Sequence, residues 1–148
     1  MIFNGKEIRV LSGAIIVFQN IPLSRTPKRK LSEAEDECLE KLFDRIMALA
    51  ESEYERIGAV NLSDVSPGNP TESHTIRKRL SVSLNFSFSE TELRLVSEAL
   101  DIYIAEAEAR GDGKSMNVYY SGDMYGLDTD DFKRVSERIW TERNNSRN

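Results

Sequence analysis

Between residues 80 and 89 apolar and small polar side chains alternate. Leu80, Val82, Leu84, Phe86 and Phe88 face one way, and Ser81, Ser83, Asn85, Ser87 and Ser89 the other. A period of two predicts a strand of about nine residues with one greasy and one polar face. The longest helical pattern opens at Ser32-x-x-Glu35, the spacing of a capping box, with Leu31 placed as a hydrophobic staple. That helix is expected to run to Ile57 and to stop at Gly58. Ala34, Cys38, Leu42, Ile46, Leu49 and Ile57 share one face of it, widened by Leu39, Phe43 and Ala50.

A second box, Ser89-x-x-Glu92, predicts a helix to Arg110 with Gly111 as its stop. Its apolar arc is too wide for one sheet face, so Leu95 and Ile102 are expected to meet another helix or a second copy of the chain. Asp112-Gly113 then turns into a strand, Lys114 to Tyr120, and Ser121–Leu127 forms a loop. Asp128 or Thr129 caps a last helix to about Glu142, held by Phe132, Val135 and Ile139.

Near the amino end, Lys6–Leu11 and Ala14–Gln19 flank Ser12-Gly13 and read as a hairpin. Ala14–Phe18 is a β-branched, continuously apolar arm of the kind covered on both faces. Asn4-Gly5 is a second turn signal that lets Met1–Phe3 fold back as a short strand. Residues 20–30 and 59–74 are loops, with a short strand possible over Ala59–Val65. The order ββα(β)βαβα predicts an α+β fold: a mixed, mostly antiparallel sheet of four to five strands with three helices. Residues 1–142 form a single domain and 143–148 a polar tail.

Composition narrows the function classes. The 148 residues suit one domain, and a net charge of −5 with pI near 5.0 argues against whole-surface binding to nucleic acid or anionic lipid. Mean hydropathy is −0.47, and the longest apolar run, Ala14–Phe18, is far shorter than a membrane span, so no membrane partner is expected. No signal-peptide pattern opens the chain, and a single cysteine allows no internal disulfide. Together these point to the cytoplasm. Cys38 lies on an apolar helix face and reads as packing rather than as a nucleophile. His74, the lone histidine, reads as a solvated loop side chain, with general base as its alternative. One His and one Cys leave no ordinary zinc site, and neither a metal nor a cofactor is expected.

Three constellations remain. Glu33, Glu37, Glu40, Asp44, Glu51 and Glu55 fall on one side of the first capped helix, where residues 32–57 hold nine acids and three bases. Such a ridge is either a plain solvated face or a steering surface for a protein with a basic surface. The loop from Tyr119 to Asp131 gathers Tyr119, Asp123, Met124 and Tyr125, side chains suited to an interface. Asp128, Asp130 and Asp131 serve equally as helix-capping acids. Basic segments 25–30 and 77–79 could contact phosphates, or simply pair with neighbouring acids. The leading expectation is a small acidic, non-catalytic protein that binds another macromolecule. An inhibitor, immunity or adaptor protein of a bacterium or phage fits the size and acidity. Its expected contact residues are Tyr119, Asp123, Met124, Tyr125, Glu33, Glu37, Glu40 and Asp44. The alternatives are a small carboxylate-dependent enzyme using the 119–131 loop and a nucleic-acid contact through the basic segments.

Overall fold

The computed structural model describes residues 1–20, 28–58, 78–109 and 129–145. In chain order they form strand β1 (Ile2–Asn4), helix α1 (Gly5–Asn20), helix α2 (Glu33–Arg56), strand β2 (Ser83–Asn85), helix α3 (Glu90–Ala109) and helix α4 (Thr129–Asn145). A helical turn over 78–80 precedes β2. The described residues are thus mostly helical, and their only sheet is the antiparallel pair β1–β2, in register Ile2↔Asn85, Phe3↔Leu84 and Asn4↔Ser83. This overturns the expected sheet of four to five strands with three helices. The strands expected over 59–65 and 114–120 lie outside the described residues.

The hairpin expected over residues 6–19 is one helix, α1. Its amino end is a capping box that reads like the other two: Asn4 Oδ1 accepts from Glu7 N at 2.8 Å, and Glu7 Oε1 accepts from Asn4 N at 2.9 Å. The continuous apolar run follows from position. Ile8, Val10, Leu11, Ala14, Ile15, Val17 and Phe18 are all buried because α2, α3, α4 and β1 surround this helix. The five-residue run Ala14–Phe18 holds no polar side chain, so within it nothing marks the helical period that would distinguish it from a buried strand. Ser12-Gly13, read as a turn, sits inside it, and the Ser12 hydroxyl donates back to Arg9 O at 3.1 Å.

The two Ser-x-x-Glu boxes form as the sequence predicts. Ser32 and Ser89 accept from Glu35 N and Glu92 N, and both carboxylates return the bond to the cap N–H. On α2 the buried stripe is Leu39, Leu42, Ile46, Ala50 and Tyr54, while Ala34 and Leu49 lie outside it. Helix α3 packs against α1, α2 and α4 at once, with Leu95 fully buried and Ile102 against the core, so its wide apolar arc is used on both sides within one chain. Helix α4 continues through Asn145 and stacks Phe132 parallel to Tyr103 of α3 at 3.9 Å.

The alternation over 80–88 is real in burial: Val82, Leu84 and Phe86 are buried, and Ser81, Ser83, Asn85 and Ser87 are exposed. Only residues 83–85 join a ladder, since β1 offers just three partners. Phe3, Phe86 and Phe88 close the apolar side, with ring centroids 4.8–5.9 Å apart.

Candidate functional site

Packing positions the acidic ridge. The buried stripe of α2 turns Glu33, Glu37, Glu40, Asp44, Glu51 and Glu55 to the opposite side, and all six are exposed. From Glu33 to Glu55 the ridge is about 33 Å long at about 1.5 Å of rise per residue. Glu37 pairs with Lys41 at 3.0 Å, both largely in water. Among the described residues, Glu33, Glu40, Asp44, Glu51 and Glu55 take part in no ion pair.

Basic side chains are used differently, and the ties begin at the capping boxes. Each box glutamate, already bonded to its cap N–H, also accepts an arginine from elsewhere in the fold. Glu7 of α1 accepts Arg138 of α4. Glu35 of α2 accepts Arg29 at 2.7 and 2.9 Å and Arg94 of α3 at 3.4 Å. Glu92 of α3 accepts Arg45 of α2 at 3.2 Å. The amino end of α4 has an equivalent in Asp131, buried and paired with Lys6 of α1 and with Arg134. A carboxylate at a helix amino end faces the positive end of the dipole, and the added cation ties that end to a second element. Lys133 pairs with Glu108 at 2.8 Å.

Arg29 spends four of its five donors this way, since Nε and Nη2 also bind Glu98 at 2.5 and 2.9 Å. The hydrogen bonds to Glu35, then those to Glu98, hold its guanidinium above the ordinary value. The same bonds from Arg29, with the Ser32 N–H, hold Glu35 well below the usual carboxylate range. In the second basic segment, Arg79 lies over the Tyr54 ring at 4.5 Å. Arg25 and Arg77 lie outside the described residues.

A cleft of about 670 Å³ separates the first turn of α1 from α4. Lys6 and Arg134 both pair with Asp131 there, and Arg138 pairs with Glu7. Burial pushes the half-buried Cys38 thiol above its ordinary value, away from the thiolate a nucleophile needs. Among the described residues no group of three or more His, Cys, Asp or Glu is placed to hold a metal ion, and no helix is long and apolar enough to cross a membrane.

Of the residues expected to bind a partner, Glu33, Glu37, Glu40 and Asp44 share the outer face of α2. Tyr119, Asp123, Met124 and Tyr125 lie outside the described residues, as does His74. Sequence reasoning missed Glu7 and the arginine ties. The signal for Glu7 was present, because Asn4-x-x-Glu7 has the spacing of the other two boxes. Arg29–Glu35, six positions apart, is a pairing with a neighbouring acid, whereas the ties that join residues 47 to 131 positions apart show in no local pattern. Comparison with protein-family models, curated proteins and solved structures finds no match to this chain.

Proposed function

We propose that this is a non-catalytic binding protein, of the inhibitor, immunity or adaptor kind, whose α2 outer face meets a protein with a basic surface. The observation that carries this reading is the unequal use of charge. Lys6, Arg29, Arg45, Arg94, Lys133 and Arg138 are drawn into ties between separate parts of the fold, whereas five ridge carboxylates stay exposed and unpaired among the described residues. A field of one sign on an exposed face accelerates encounter with an oppositely charged surface by about 10–10³-fold at low salt. The same accounting weighs against the nucleic-acid reading, because four of the five guanidinium donors of Arg29 in the 25–30 segment are taken by Glu35 and Glu98.

In this reading Tyr119, Met124 and Tyr125 supply the anchoring contacts, and Asp123 joins the ridge in steering. Affinity capture with the intact chain, followed by intact-mass identification, supplies the partner for kinetics. Converting Glu37, Glu40 and Asp44 to lysine should slow association and flatten its salt dependence, and Tyr125→Ala should mainly speed dissociation. Association rates and salt slopes equal to wild type in the triple variant would remove the ridge from the interface.

A further inference from the structure

The two edges of the small sheet are finished differently. Phe86 N donates to Met1 O at 3.0 Å, so with the register of the pair, Phe3 and Leu84 exchange their bonds inside the ladder. Ile2 and Asn4 therefore point their main-chain groups away from β2, and Ser83 and Asn85 point theirs away from β1. On the β1 edge Arg138 Nη2 donates to Ile2 O at 2.7 Å, and Glu7 accepts from Asn4 N. On the β2 edge the N–H and C=O of Ser83 and Asn85 have no partner among the described residues, and both residues are exposed.

We propose that a second copy of this chain pairs with that edge, β2 to β2, making a four-stranded antiparallel sheet across a two-fold axis at Leu84. The edge is complementary to itself. With the axis at Leu84, Ser83 of one copy faces Asn85 of the other, and each such pair exchanges two bonds, which satisfies all the outward groups of both residues in each copy. Natural edges are protected by lysine, proline, inward-pointing charge, shortness or a covering helix. Here β2 is short and α2 packs against it, Arg45 donating to Ser87 O at 3.0 Å beyond the strand, which leaves the outward groups of Ser83 and Asn85 as the open stretch. Residues 80–89 contain no lysine, proline or charged side chain, and their polar face, Ser81, Ser83, Asn85 and Ser87, sets no like charges against each other across the axis. The proposal is independent of the ridge on α2.

Sedimentation equilibrium of the intact chain from micromolar to millimolar concentration tests it, together with amide exchange at Ser83 and Asn85. Ser83→Pro removes one outward donor and no ladder bond. It should weaken self-association at least tenfold, roughly the loss of one hydrogen bond in each copy. Asn85→Lys, which keeps every backbone donor, carries the same test should the proline variant lose its helical circular dichroism. Concentration-dependent dimerisation with slowed exchange at both amides, abolished by either variant, is the expected result. A chain that stays monomeric throughout, or a dimer indifferent to both variants, overturns the proposal.

Discussion

Glu7 and Arg138 lie 131 positions apart in the chain and pair at the edge of β1. The glutamate closes the box that starts α1, and the arginine, from the middle of α4, also donates to Ile2 O and lies over the Phe3 ring at 4.7 Å. One guanidinium thus joins the first strand, the first helix and the last helix.

Arg138→Ala should cost about 1–3 kcal/mol, because it strands a part-buried carboxylate and uncovers an aromatic ring. Arg138→Lys should recover only part, since an ammonium cannot span Glu7 and Ile2 O in one plane. Urea unfolding of Glu7→Gln, Arg138→Ala and the double variant gives the coupling, expected to be favourable and above about 0.5 kcal/mol.

Gly5→Ala should destabilise the chain, opposite to the usual sign of a glycine-to-alanine change in a helix. A methyl there collides with the carbonyl oxygen of Arg79 and comes within 2.7 Å of Leu80 Cα, which is backbone and cannot swing aside. The expected cost is about 1–3 kcal/mol by overpacking, read as a lower urea midpoint at unchanged slope.

Glu40→Lys should leave stability unchanged or raise it slightly. Glu40 is exposed, has no ion pair among the described residues and sits one turn from Asp36, Glu37 and Asp44. Like charges at these spacings each cost a few tenths of a kcal/mol, roughly 0.2–0.5, and reversal turns them into attractions. A thermal midpoint clearly lower than wild type would assign the ridge a structural role.

Acid should weaken the fold partly through Glu35. The folded chain holds this carboxyl below its ordinary value, near 4.5, so below about that pH the unfolded state binds more protons. The stabilisation is complete above that pH and is lost as pH falls. Asp101 acts with the opposite sign, because burial raises its value and its contribution fades as pH rises. In Glu35→Gln the decline of the urea midpoint between about pH 5 and pH 3 should be shallower than in wild type.

Leu95→Ala should cost about 2–5 kcal/mol, because Leu95 is fully buried where α3 meets its neighbours. Ile102→Ala, at a partly buried position, should cost less, and equal midpoints for the two variants would contradict this packing.

By itself the sequence determined those elements whose signals are local. Ser32-x-x-Glu35 and Ser89-x-x-Glu92 mark the starts of α2 and α3 because a capping box is complete within four residues. The exposed line from Glu33 to Glu55 follows from helical period alone, and the alternation of residues 81–87 correctly says which side chains are buried. Tertiary structure decided the rest. Ala14–Phe18 lies inside a helix packed by three other helices and a strand, and a short run without polar side chains carries no period that separates helix from strand. The 80–88 segment pairs over only three residues because a ladder's length is set by its partner, not by its own pattern. The ties of Arg45, Arg94 and Arg138 join elements distant in the chain. Such contacts exist only once packing has brought those elements together.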